Sequence, residues 1–463
     1  MKPIKPTKPR IFVFCRAYLI PDFQENLTSL TDEFEFKFLT DGRNKFNVTD
    51  TRNRFYERLD TATTPDGFSV KDELDVIARC RYLRNLPHIQ AIKMLRAMAS
   101  VIEEELDLYN PQAILAQMVD EYITHLLSNI AKVRGIVYVG YIYSYFPNMA
   151  QVVLFSDGSP LSFRNPPEEE VTKMLEDISQ DGFRQNYKQN TDYSKIQHLK
   201  LMLRFRVKQV AFKILAWRDN DPLNIHYACL PYIVERRHWH DLPSANDFDQ
   251  NWDALIINLR YEKAKPIIYF PLAYFPESST DYWVENKELL DYVNYTLALF
   301  KFLSKSFTVV VKEHMHMLGG RDVSYYHKIK EISGVISVPP YVNSNDVVLK
   351  SDAVIVGGGS VGIESFLRHK PILTFCTSSC WYLASGATKL DLSDIATWQK
   401  AINETIYLYK PPTLERKKEF IKQCLKSTIR IKKSGKLWPI CNSDDVKNLL
   451  NTAISVKFTD VIF

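Results

Sequence analysis

The stretch Ser351–Phe375, SDAVIVGGGSVGIESFLRHKPILTF, decides the fold. Its apolar run AVIV reads as a buried strand. Gly357, Gly358 and Gly359 follow, a helix opens at Ser360, and PILTFC reads as the next strand. A strand, a helix and a strand at this spacing make a parallel crossover unit. Three of the chain's 15 glycines therefore stand together at the carboxyl end of a strand. Glycine lets backbone N–H groups come close to an anion, and a helix start adds free amides and the positive end of the helix dipole. Gly358, Gly359, Ser360 and Val361 are candidate phosphate contacts on that ground. Ser360 is either the helix N-cap or a hydroxyl donor to phosphate. Glu364, one turn on and on the face of Ser360, can accept from ribose hydroxyls. The other reading is a tight strand-to-helix turn that needs glycine for its backbone alone. The pattern is neither GxGxxG with an acid about 20 residues on nor GxxxxGK[ST], which argues against dinucleotide and P-loop sites.

The same alternation runs back to Lys265. PIIYFPL, FTVVVKEH, GVISVPP and AVIVGGG read as strands, and ELLDYVNYTLALFKFLSK, VSYYHKIKEIS and NSNDVVLKS as helices between them. The first part of the chain repeats the arrangement with IFVFC, EFEFKFL, PQAILAQMV and GIVYVGYIYS as strands, a helical stretch from Lys71 to about Leu108 broken near Pro87, and a helix over 120–133. Strands alternating with helices of this length predict parallel sheets covered by crossover helices. The predicted fold class is α/β, with two Rossmann-like lobes and a helical insertion. The predicted organisation is an α/β lobe over 1–164, a helical insertion or inter-domain arm over 165–260, a second α/β lobe over 261–390 that binds the nucleotide, and C-terminal helices over 391–463 packing across the lobes. Residues 391–434 read as helical and Lys-rich.

The composition is that of a globular protein, with 46% hydrophobic and 24% charged residues over 463 positions, and disorder, collagen and coiled-coil rod are excluded. A net charge of +5 is too small for a nucleic-acid-binding protein. Seven dispersed cysteines without a CxxC pair read as reduced, mostly buried thiols. IFVFC is too short for a signal-peptide core, and no run approaches the ~20 apolar residues of a spanning helix. The chain thus reads as cytoplasmic. Its basic surfaces predict contact with the anionic inner face of a membrane. These are Arg204, Arg206, Lys208, Arg236 and Arg237 among aromatics, and Lys417, Lys418, Lys432, Lys433 and Lys436. The stretch holding the first group reads either as an amphipathic helix covering the core or as an acceptor- or membrane-facing surface.

Three more segments carry candidate chemistry. Lys312 and His314 end a strand, placing an ammonium and an imidazole at a sheet edge, with His316 as a neighbouring alternative. Glu277, Ser278, Ser279 and Thr280 form a carboxylate with three hydroxyls in the loop after PIIYFPL. That is either a catalytic group with its hydrogen-bond support or an N-cap cluster. In VPPYVNSND, Pro340 and Ser344 are either a turn or one wall of a nucleotide pocket, with Asn343 or Ser344 as helix cap. No DxD or DxH pair lies at a strand end, so no metal is expected.

In order and spacing, residues about 266–375 resemble the capsule-polysaccharide biosynthesis family, which includes transferases of the acidic sugar Kdo. The matching elements are PLAYFPESS, then KEH, then YYHKIK with VISVPPYVNSND, then DAVIVGGGSVGIES and KPILTF. The chain departs from the family at Glu277, where the family has Asp, and at Met315, where it has Pro. The resemblance implies a glycosyltransferase of the B-type architecture (GT-B) with its first lobe on the acceptor side. It also implies a CMP-activated donor as co-substrate without a further cofactor, and a glycan or lipid-linked acceptor. Glu277 would be the catalytic carboxylate, His314 its phosphate-side partner, Ser360 a phosphate contact and Ser278–Thr280 support for the donor sugar. A non-catalytic nucleotide- or carbohydrate-binding partner of an assembly complex, and a sugar-nucleotide epimerase of similar fold, are the other readings.

Overall fold

The computed structural model describes residues 8–180, 195–225, 239–262, 265–275, 277–284, 287–376 and 384–456. The chain divides into two compact units, one of Met1–Glu170, Phe212–Cys229 and Cys424–Phe463, the other of Val171–Ala211 and Leu230–Gln423.

The first unit is built on strands β1 (Arg10–Phe14), β2 (Glu35–Thr40), β3 (Thr49–Asp50), β4 (Ala113–Gln117), β5 (Val137–Tyr143) and β6 (Met149–Leu154). β3, β2, β1, β4 and β5 lie side by side in that order and are parallel. The helices His88–Tyr109 and Tyr122–Val133 connect them, with Pro87 at the N-cap of the first. β6 turns back antiparallel on β5.

The second unit holds β7 (Ile267–Pro271), β8 (Thr308–Lys312), β9 (Val335–Val338), β10 (Ala353–Val356), β11 (Ile372–Thr374) and β12 (Thr388–Lys389). These six strands are all parallel, in the order β9-β8-β7-β10-β11-β12. Each of β7, β8 and β10 is apolar and buried almost throughout, as a parallel strand covered on both faces must be. The two Rossmann-like units are thus present as the strand–helix alternation predicts. In both, the sheet grows outward in two directions from a central pair, β1/β4 and β7/β10.

The tail forms the helices Trp398–Leu408, Leu414–Lys426 and Ser443–Ser455, as its helical reading predicts, and departs from that reading in two strands. β13 (Thr428–Ser434) and β14 (Pro439–Cys441) are strands, β13 pairing antiparallel with β6 and with β14 at the edge of the first sheet. TIRIKKS carries lysines that suit a helix. Its Thr428 and Ile429 nevertheless bury against a waiting edge strand, and that tertiary pairing overrides local propensity. Cys15, Cys80, Cys376, Cys424 and Cys441 are buried.

In the second core, the ring of Phe375 stacks between Phe270 and Trp398, at 6.1 Å from each. Gly357 makes room for it, because a Cβ there would lie 2.8 Å from the Phe375 ring. Gly357→Ala must push that ring out of its stack and should cost about 1–3 kcal/mol. A lowered thermal midpoint checks this. An unchanged midpoint would mean that the ring has slack.

Candidate functional site at the carboxyl edge of the second sheet

In a doubly wound sheet, adjacent strands whose connections run to opposite sides leave a crevice at their carboxyl ends. In the second unit that point lies between β7 and β10. The loop after β7 carries Glu277, and the loop after β10 carries the three glycines. These loops abut, since a Cβ on Gly358 would sit 3.2 Å from the Cβ of Ser279. Gly359 has φ +86°, a left-handed backbone that favours glycine. Each glycine of the triplet thus answers to a separate local constraint. The helix that follows is short, Val361–Leu367, with Ser360 at its N-cap and no cap bond from that side chain. Glu364 lies near Ser360, and burial raises its pKa against the pull of Ser360, Lys312 and Arg368.

Lys312 is the last residue of β8 and is 8% exposed. Its ammonium has no hydrogen bond or ion pair within reach among the described residues. Burial pushes its pKa down to about 8, while Glu313 and Glu364 pull it up. His314 follows on the same edge, its ring 5.6 Å from Tyr274 of the loop after β7. Burial, helped by the positive charges of His316, Lys312 and Arg321, pushes the imidazole down to about 3. Its Nδ1 accepts from the His316 N–H at 3.3 Å. The neutral ring therefore carries its proton on Nε2, where it can only donate.

Beneath these groups lies an ion pair that the sequence did not point to. Arg321 Nε donates to Glu313 at 2.7 Å, with both side chains almost fully buried. Glu313 also accepts from the Tyr326 hydroxyl at 3.0 Å and from the His314 N–H at 2.6 Å. Arg321 reaches across to the carbonyl of Ala273. Its guanidinium lies 4.7 Å from the ring centre of Tyr292, whose hydroxyl accepts from the Ala273 N–H at 2.7 Å. The segment GGRDVSYY held one clue, a cation beside aromatics in a strand-to-helix loop, but its partner could not be read from order alone.

Glu277 is exposed and stands at the N-cap of the short helix Ser278–Asp281. Its Oε2 accepts from the Ser279 hydroxyl at 2.8 Å, and its backbone N–H donates to Thr280 Oγ1 at 3.2 Å. The capping arrangement is therefore realised, with the carboxylate still open to solvent. Ser278 and Thr280 are buried, while Ser279 is half-buried beside the glycine loop. After β9, Pro340 is buried in the turn and Asn343 caps the helix Ser344–Leu349. Ser344 lies beside Tyr269 of β7, and Tyr269 feels the charge of Glu364. Lys312, Ser344, Ser360 and Glu364 thus gather over one stretch of the sheet edge. Val361 is half-buried at the helix start. Among the described residues no group of three or more His, Cys, Asp or Glu side chains is placed to hold a metal ion. A cavity of about 470 Å³ lined by Lys370, Thr388, Tyr409 and Arg416 opens at the opposite, amino edge of β11 and β12, away from these groups.

No family model and no curated protein matches the sequence, so the capsule-polysaccharide resemblance rests on the residues quoted for it. Solved structures similar to the chain include the UDP-GlcNAc 2-epimerase of Methanocaldococcus jannaschii, at 11% identity over 90% of this chain and 99% of the other, with a TM-score of 0.29. A trehalose-6-phosphate synthase aligns at 9% identity over 96% and 99%, with a TM-score of 0.33. The UDP-GlcNAc 2-epimerase of Neisseria meningitidis aligns at 11% identity over 97% and 100%, with a TM-score of 0.26. Similarity this distant says nothing of activity.

Arg321→Met leaves Glu313 buried without its counter-charge and should destabilise by about 3–5 kcal/mol in urea unfolding. Adding Glu313→Gln should restore part of the loss. A double variant no more stable than the single one would remove charge compensation as the reason for the pair.

Proposed function

We propose that the chain is a nucleotide-sugar-dependent glycosyltransferase of the two-lobed B-type architecture, with its donor site at the β7/β10 crevice of the second unit. The observation that carries this reading is Lys312, a buried cation that makes no hydrogen bond or ion pair to the described residues, beside the His314 imidazole with its Nε2–H as donor. Burying an ammonium is costly unless an anion meets it. A phosphate at the sheet edge would supply that anion, with the amides of Gly358, Gly359, Ser360 and Val361 around it. Glu364 would face the ribose, and Pro340 and Ser344 would form the wall beside it. The lysine charge and the His314 Nε2–H would stabilise the leaving phosphate without a metal.

Glu277 is the proposed catalytic carboxylate. Transfer from an activated sugar needs a carboxylate either to attack the anomeric carbon or to take the acceptor proton. Glu277 is exposed, and the Ser279 hydroxyl holds it in one orientation. Following the resemblance, the donor is CMP-linked and its sugar acidic, with a glycan or lipid-linked acceptor.

Thermal shifts with CMP, UDP, GDP and ADP rank the nucleotides, since a ligand selective for the native state stabilises by RT ln(1 + [L]/Kd). UDP ranking above CMP would displace the CMP assignment, and no shift with any of the four would overturn the site. Lys312 is charged below its pKa of about 8 and loses its proton above it. Nucleotide affinity should therefore fall as pH rises through about 8, by up to about tenfold per unit. Lys312→Met should bind weakly at every pH, and a wild-type affinity flat from pH 7 to about 9 would dismiss the lysine as phosphate ligand.

Glu277→Gln should lower transfer by about 10²–10⁴-fold at unchanged nucleotide affinity. Turnover within a few-fold of wild type would leave Glu277 as a helix cap only. A sugar with an inverted ring stereocentre, formed without an acceptor, would identify an epimerase.

A further inference from the structure

The helix Lys195–Arg218 is apolar on two opposite sides. At roughly 100° per residue, Leu199, Leu203, Val207, Val210, Ile214 and Trp217 fall within an arc of about 80°. All six are solvent-exposed, from 55% at Leu199 to 83% at Trp217. Phe205, Phe212 and Leu215 lie on the opposite side and are half-buried. The outward stripe is therefore additional to the face that packs. It runs for most of a helix about 36 Å long at ~1.5 Å per residue. Single exposed apolar residues are ordinary, whereas a continuous stripe marks an interaction surface.

The charges beside it point to the partner. Lys200 and Arg204 border one side of the stripe, and Arg206 and Lys213 border the other, while Arg218 pairs with Asp219 at 2.9 Å. No Asp or Glu occurs between residues 195 and 218. A second copy of this helix would bring cations against cations at the flanks of the contact, which disfavours self-pairing. An apolar stripe between two cationic borders matches the layering of an anionic membrane surface, headgroup charge above and acyl chain below. Among the described residues no helix is long and apolar enough to cross a membrane, so this geometry is one of lying on the surface.

We propose that the outward face of this helix docks on anionic phospholipid, with the stripe at the acyl boundary and the bordering cations on the headgroups. Two of the other basic residues singled out in the sequence are engaged elsewhere. Lys417 donates to the Leu367 carbonyl at 3.2 Å, Lys433 pairs with Glu25 at 2.5 Å, and Arg236 and Arg237 lie outside the described residues.

The test is co-sedimentation of the full-length protein with vesicles of phosphatidylglycerol and phosphatidylcholine, and of phosphatidylcholine alone. The protein should sediment with the anionic vesicles only and detach at ~1 M salt, where the Debye length is about 3 Å. Leu203→Glu with Ile214→Glu should abolish the binding. Arg204→Glu with Lys213→Glu should weaken it roughly tenfold or more. These positions are exposed, so unchanged circular dichroism and thermal midpoint confirm that the variants fold. Failure to bind anionic vesicles at low salt, or equal binding by the Leu203/Ile214 variant, overturns the proposal. So does a wild-type dimer in sedimentation velocity that this variant dissociates, which would assign the face to a second copy.

Discussion

The ion pair of Glu313 and Arg321 holds two loops at once. Arg321 bonds the carbonyl of Ala273, in the loop that leads to Glu277, and Glu313 bonds the backbone N–H of His314. Both groups are buried, and such a pair contributes little net stability because desolvation offsets the attraction. Its value is geometric. Breaking either partner strands a charge in the core, so the two loops cannot drift apart without exposing the pair. Arg321 Nη1 has no hydrogen-bond partner among the described residues, and the aromatic faces of Tyr292 and Tyr325 border the guanidinium instead. Glu313, Arg321 and the groups that meet them thus fix the floor of the site.

On this floor the charges are divided. The Arg321 charge is spent inside the protein on Glu313. The Lys312 charge makes no ion pair among the described residues, and the carboxylates that act on it are Glu313 and Glu364, the latter with a raised pKa. A neutral His314 adds a donor without adding charge. The edge of the sheet therefore presents one cation and one oriented donor toward the place where ligands bind in folds of this kind.

Much of this was legible in order and spacing. Buried parallel strands read as continuous apolar runs, so β7, β8 and β10 declared themselves, as did the strand-to-helix junction at Gly357–Ser360. What stayed hidden depends on distance in sequence. β13 is a strand because β6 offers an edge, and nothing within TIRIKKS announces that edge. Arg321 is a buried cation only because Glu313 and Ala273 stand opposite it. Glu277 was ambiguous between capping and chemistry, and the structure shows the cap without removing the open carboxylate. The glycine triplet looked like a single feature with one purpose. It proves to be three adjacent solutions to a ring, a neighbouring loop and a backbone angle.

That separation bears on how a phosphate site could arise here. Gly357 and Gly358 are small because Phe375 and Ser279 press against them, and both pressures bring the β10 loop down onto the sheet edge. A loop drawn in this tightly takes its shape without any anion, on the same sheet edge as the Lys312 end of β8 and two strands away. The packing of the core and the pairing of Glu313 with Arg321 then hold that edge from below. Ordering costs are met in folding rather than in binding, which is the condition under which a small number of contacts can hold a charged ligand tightly.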